Sequence, residues 1–324
     1  MTASSAAAAH RARLILCLAT VYLVWSSSYL VTKIGVSALP PFLFGSVRFL
    51  LGGALLFTLS RILAVRRGAA PLPLIDATEW RHLAVVGFCT VLVSNGFNVW
   101  GIQHVASNEA ALLNVASTFL ITFLGTLGRR AHPVSGRVLV GLLLGVAGLV
   151  LVIDPFAGPA GGGAAGASLH LLAELAILVG CLGWASGTIY QRNAPMRLDL
   201  MGFTGLQMML GGLMLAVPAL LAGDLQRWVW APSGLAALAW MTLMSSCIAY
   251  TAYAWLSVHA TPAQTGSFGL AVPALAALLG WWVLGERLTG AQSLGMAVIL
   301  AGVLLVNWPR ATGSASPGAP RADA

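Results

Sequence analysis

Three charged side chains lie in stretches of this chain that are otherwise apolar: Arg48, Glu109 and Glu174. An ion in such surroundings is tolerated only where it is paired or wet, so each marks a point of interest. Arg48 follows Pro41 by seven residues, which on a helix starting at that proline places it roughly 10 Å from the end, deep for a side chain that must snorkel. A second group could hold a solute by hydrogen bonds and ring stacking: Trp25, Ser27, Asn95, Asn98, Asn114, Ser117, Trp184, Tyr250, Tyr253 and Gln264. Amides and aromatics suit a polar or zwitterionic molecule and offer no cluster for a highly charged one. Each of these residues alone also reads as an interhelical contact or an interfacial aromatic; only their convergence from several segments points to a pathway. No nucleophile with its base and no metal-ligand spacing accompanies them. No catalytic residue, metal or cofactor is therefore expected, and the chain does not read as an enzyme.

The elements that carry these residues are set by composition. Of the 324 residues 58% are hydrophobic and only 8% charged, and the mean hydropathy is +0.88, far from a soluble domain and diagnostic of a polytopic membrane protein. Apolar runs fall at 14–33, 42–63, 81–101, 108–128, 136–154, 169–191, 201–222, 234–257, 263–284 and 291–308, each about long enough to cross roughly 30 Å of hydrocarbon as a helix. A β-barrel is excluded, because its strands are half that length and alternate in polarity. The four cysteines, Cys17, Cys89, Cys181 and Cys247, lie within these runs without C-x-x-C spacing and read as small buried residues.

The ten runs form two sets of five. WSSSYLVTK from Trp25 meets WASGTIYQR from Trp184 at an offset of 159, and LGGALL from Leu51 meets LGGLML from Leu210 at the same offset. WGIQH from Trp100 meets WLSVH from Trp255 at 155, and GLLLGVAGLVLV from Gly141 meets GMAVILAGVLLV from Gly295 at 154. Four collinear pairs mark a duplication. Five spans per copy is an odd number, so the copies enter the membrane from opposite sides. The fold expected is an all-α membrane protein of ten transmembrane helices in two inverted five-helix repeats, an architecture of secondary transporters.

Basic residues orient the bundle. With the N-terminus inside, thirteen Arg lie on the inner side and three Lys or Arg on the outer, so both termini are expected in the cytoplasm. The net charge of +8 then reports topology and calls for no nucleic-acid partner. The expected division is a cytoplasmic segment 1–13, a first repeat 14–155, a Gly-rich linker 156–168, a second repeat 169–308 and a disordered cytoplasmic tail 309–324. Span one has no small-x-small cleavage pattern and reads as retained.

Differences between the copies are informative. By the offsets, Gln207 stands where Arg48 stands and Gln264 where Glu109 stands, which predicts that Arg48 and Glu109 are partners replaced by a neutral pair. The alternative is that each serves a helix end. Pro273 lies within span nine beside Gly266, Gly269 and Gly280 and is the expected kink and gate, with Phe119 as its unkinked counterpart. The glycines of spans five and ten read as flat packing faces within the scaffold or between subunits of a homodimer.

The duplicated ten-span layout, W-x-S near the end of span one, Pro-Pro-Phe-Leu followed by Arg48-Phe49-Leu50, and Gly285-Glu286-Arg287-Leu288-Thr289 followed by Gly295 and Gly302 together resemble the EamA branch of the drug/metabolite transporter superfamily over residues 14–308. The resemblance implies a multi-pass carrier of the bacterial inner membrane that exports amino acids, related metabolites or drugs by alternating access without ATP hydrolysis. Its partners would be a small-molecule solute and the lipid bilayer. An importer of the same solutes, or a non-transporting scaffold or signalling protein, stays open at this level. One departure is visible: His132 stands where Glu286 stands in the second copy, which favours a structural helix-end role for Glu286.

Overall fold

The computed structural model describes residues 3–68, 75–125, 136–153, 163–260 and 268–307, and among them every regular element is a helix. In chain order these are α1 (Ala3–Ala38), α2 (Pro41–Arg66), α3 (Ala77–Gly87, Phe88–Asn95 and Gly96–Gly101, continuous), α4 (Ser107–Asn114), α5 (Ala116–Leu124) and α6 (Gly136–Ile153). They are followed by α7 (Gly163–Asn193), α8 (Leu200–Leu221), the single turn α9 (Asp224–Arg227), α10 (Pro232–Trp240, Met241–Ala249 and Tyr250–His259, continuous), α11 (Phe268–Leu284) and α12 (Gly290–Asn307).

Among the described residues, seven stretches, in α1, α2, α3, α6, α7, α8 and α10, are long and apolar enough to cross a membrane. The three other expected spans coincide with α4 and α5, interrupted at Val115, and with the shorter apolar stretches Ala271–Leu284 and Gly290–Val306 of α11 and α12. Helix extends beyond the expected spans at two places. Residues 3–13 continue α1, and residues 163–168, placed in the linker for their glycine content, begin α7; runs of alanine in both segments favour helix. Gln264, His132 and the tail from residue 308 lie outside the described residues.

Local chemistry starts and stops the helices. Asp76 accepts from the backbone N–H of Glu79 (2.8 Å) to cap α3, and Asp199 accepts from that of Gly202 (2.9 Å) to cap α8. Each satisfies an amide that has no partner inside its helix. Proline opens α2 and α10 at a position where the missing N–H is no loss. Gly285, at φ 68°, turns the chain sharply at the end of α11, and the N–H of Glu286 closes back on the carbonyl of Gly280 at 3.1 Å.

Side chains are sorted for lipid. Leu51, Leu55, Leu59 and Ile62 on α2, Leu139, Leu143 and Val146 on α6, and Leu213, Val217 and Leu220 on α8 all face outward, while glycines occupy the faces between helices. A β-carbon at Gly53 would lie 2.6 Å from the carbonyl oxygen of Gly205, and one at Gly302 would lie 2.7 Å from that of Gly141. The LGG faces and the glycines of spans five and ten thus serve contacts within the chain, α2 on α8 and α6 on α12. With no hydrophobic driving force between helices in lipid, such close approach is what gains dispersion energy.

The Gly302→Val variant should lower the thermal unfolding midpoint of the detergent-solubilised protein by several degrees, because a branched side chain forces α6 from α12. Gly290→Ala, at a position with open space around it, should leave the midpoint within a degree or so.

Candidate solute-binding cavity

Two helices depart from α-helical winding at equivalent places. Phe88–Asn95 in α3 and Met241–Ala249 in α10 are π-helical, wound with one extra residue per turn, a local feature that is frequent at functional sites. The wider turn frees carbonyls and re-aims side chains. Asn95 uses its amide to donate to the carbonyl of Thr90 at 2.7 Å.

These π turns help form a cavity of ≈ 180 Å³ bordered by α1, α2, α3, α4, α5, α7, α10 and α11. At about 10–15 Å³ of such space per water, it has room for roughly a dozen water-sized atoms, the scale of a small metabolite. Trp25, Asn95, Asn98, Asn114, Ser117, Trp184 and Tyr250 all border it, as do Arg48 and Pro273. Asn114 donates to Asn98 Oδ1 (2.7 Å) and to the carbonyl of Ala110 (2.8 Å), which fixes the amide pair across α3 and α4. Ser117 donates to the carbonyl of Asn114 at 2.7 Å, beside the break at Val115. The helix of the first copy is therefore interrupted without a proline, and the asymmetry expected from Pro273 is reduced.

Two expected residues stand off the cavity wall. Ser27 donates to the carbonyl of Val24 (3.0 Å), and its neighbour Ser28 takes the place on the wall; one residue along a helix is about 100° around its axis. Tyr253 packs behind Trp25 with ring centroids 5.1 Å apart. Trp25 also meets Tyr250 edge-on at 6.0 Å and Phe268 at 5.3 Å, and Trp184 meets Tyr250 at 6.4 Å. The rings brace one another in the offset geometries their quadrupoles prefer.

Arg48 does not pair with Glu109. Its Nε donates to Ser246 Oγ (3.1 Å) and its Nη2 to Ser245 Oγ (3.2 Å), both in the π turn of α10. The residue is only 6% exposed, and no carboxylate of the described residues lies within ion-pair distance. Gln207, its counterpart by the offset, meets the Thr90 hydroxyl at 3.0 Å in the π turn of α3. The same joint between neighbouring helices thus recurs in both copies, charged in one and neutral in the other.

Glu109 and Glu174 are buried away from the cavity wall, and both approach His170 of α7. Sequence reading missed this grouping, although His170 and Glu174 stand four apart, the spacing that places two side chains on one helical face. It also missed Tyr29, Thr32, Ser94, Ser245 and Phe268 on the cavity wall. Hydroxyl and phenyl groups in apolar helices carry no signal of direction, so only the packing distinguishes those that face inward.

Glu286 performs the helix-end task expected of it. One carboxylate oxygen accepts from the N–H of Ser107 (2.8 Å), the other from Ser107 Oγ (2.8 Å) and the N–H of Asn108 (3.0 Å), so α11 is tied to the positive end of α4. Beside it, Lys33 donates to the carbonyls of Ile102, Gln103 and Val105 at 2.7–3.0 Å and holds the end of α3 to α1.

Apolar helices closing round a partly polar cavity define a multi-pass membrane protein of the carrier class. The EamA-like transporter family matches the chain at residues 12–154 and again at 171–308, and the chain belongs to that family. It is 31% identical over 290 residues to an uncharacterised inner membrane transporter, YedA, of Escherichia coli, covering 88% of each. A probable amino-acid metabolite efflux pump of the same organism is 22% identical over 302 residues, with 88% of this chain and 91% of the relative covered. A solved crystal structure shares the fold with a TM-score of 0.61 at 21% identity, covering 91% of this chain and 97% of the other. The protein resides in the inner membrane.

Removing the Glu286 carboxylate should destabilise the protein more than a single helix cap, whose loss costs about 1 kcal/mol, because three donors lose their acceptor. Glu286→Ala should lower the unfolding midpoint in detergent, and Glu286→Gln, which keeps one acceptor oxygen, should recover part of the loss.

Proposed function

We propose that this chain is a secondary transporter that exports small polar or zwitterionic metabolites, amino acids or related compounds, by alternating access. The observation that carries this reading is Arg48: a guanidinium bordering the cavity, engaged by two serine hydroxyls and by no carboxylate of the described residues. A planar cation of this kind binds a carboxylate through paired N–H groups. Asn95, Asn98 and Asn114 offer amides for an α-amino or side-chain polar group, and Trp25, Trp184 and Tyr250 supply faces for its apolar part. The efflux pump among the relatives supports the solute class and the outward direction.

The architecture that goes with this function is ten spans in two inverted repeats with both termini in the cytoplasm. The family matches at 12–154 and 171–308 support the two units, and the paired π turns and paired Arg48–Ser245 and Gln207–Thr90 joints support their equivalence. Alternating access is assigned to rocking of these halves about the cavity. Pro273 is assigned to the gate, since it borders the cavity and cannot donate to the carbonyl of Gly269 one turn earlier.

Overexpression should protect cells against a subset of toxic amino acids or analogues in a growth panel; sensitisation would show import instead. In proteoliposomes, Arg48→Gln should weaken apparent affinity for the transported amino acid by about thirty-fold or more, as expected when one partner of a buried charged pair is lost, a cost of roughly 2–5 kcal/mol. A transported analogue lacking the carboxylate should be nearly indifferent to the change. Equal loss for both solutes would assign Arg48 to structure and refute its role as the carboxylate anchor.

A further inference from the structure

A second cluster lies on α4 and α7, apart from the cavity wall. His170 Nε2 is 3.0 Å from Glu109 Oε1 and 3.9 Å from Glu174 Oε1, and one donor atom from each residue falls within 4.8 Å of the other two. The two carboxylate side chains are 5% and 2% exposed, whereas the imidazole is 44% exposed. Glu109 Oε1 and Glu174 Oε1 are both buried without a hydrogen-bond partner. The short approach of the imidazole to Glu109 therefore lacks hydrogen-bond alignment.

The other ring nitrogen settles what Nε2 presents. His170 Nδ1 lies 3.2 Å from the backbone carbonyl of His104, and a carbonyl can only accept, so Nδ1 carries a proton. In the neutral ring Nε2 then directs its lone pair at the two carboxylates. A lone pair and two carboxylate oxygens facing one another are repulsive unless a proton or a metal cation lies between them. The nearby cation cannot do this work: Lys33 Nζ is committed to three backbone carbonyls. Glu286, the other charged group nearby, is engaged by Ser107 and Asn108 and adds negative charge.

We infer that Glu109, His170 and Glu174 form a binding site for a divalent transition-metal cation such as Zn²⁺, clamping α4 to α7. One imidazole and two carboxylates make a three-ligand set that leaves a coordination position for water, and borderline metals accept such a set. The hydrogen bond from Nδ1 to a backbone carbonyl is the usual outer-shell support of a metal-bound histidine. Zinc ligand bonds near 2.0–2.2 Å place tetrahedral donor atoms about 3.4 Å apart, so the observed separations need adjustments of well under 1 Å for the pairs involving His170. The half-exposed imidazole gives the ion its route in. Ala111 and Asn114 of α4 and Trp184 of α7 border the cavity, so the clamp joins two of its walls.

The full-length protein, purified in detergent with any affinity tag removed, should bind one Co²⁺ per chain with visible d–d absorption of a low-coordinate site, displaced by Zn²⁺. His170→Ala and Glu174→Gln should each weaken this binding at least tenfold. His104→Ala, which keeps the backbone carbonyl, should retain it. Zn²⁺ should raise the unfolding midpoint of the wild type and not that of His170→Ala, with metal-free midpoints recorded to show that each variant is folded. Absence of stoichiometric Co²⁺ binding, or binding unchanged by His170→Ala, would overturn the assignment. Neither result bears on Arg48 or on transport.

Discussion

The structure is governed by the lack of water among helices surrounded by hydrocarbon. A polar group there must find its partner inside the protein or face a wet cavity, and a group left with neither costs several kcal/mol. Arg48 is the most demanding case. Its guanidinium sits where α2 meets α10, and it is supported by two hydroxyls from a π turn and by the cavity itself. Lys33 and Glu286, both half-buried, satisfy carbonyls and amides at helix ends.

The same constraint explains the glycines. Helices in lipid gain little from burying leucine against leucine, so leucine goes outward and small residues form the contacts between helices. Gly53 against Gly205 and Gly141 against Gly302 bring two pairs of backbones together. These rigid contacts lie away from the cavity, whose walls contain the π turns, the break at Val115 and Pro273. Stiffness and irregularity are thereby separated in space.

Two differences between the copies reach the cavity. Arg48 and Gln207 occupy equivalent joints, but only Arg48 borders the cavity; Asn95 and Tyr250 are counterparts by the offset, and both border it. A shared backbone plan with unlike side chains at these positions gives one chamber an amide-rich side and an aromatic side, which suits a solute with a polar and an apolar end.

Helix content, membrane residence, family and part of the cavity wall were legible in the sequence, because hydropathy and a repeated pattern depend only on the order of residues. Trp25, Asn98, Asn114 and Trp184 could be named for the same reason: an amide or indole in an apolar run is conspicuous. What order cannot specify is direction around a helix and the partner across it. The choice of Ser28 over Ser27 is a rotation of about 100°, fixed by packing. The pairing of Arg48 with Ser245 and Ser246, and of Glu109 with His170, joins residues on different helices whose approach depends on where every other helix lies. Charge alone predicted Arg48 with Glu109; the tertiary structure separated them, setting Arg48 against two hydroxyls of α10 and Glu109 beside His170 and Glu174 of α7.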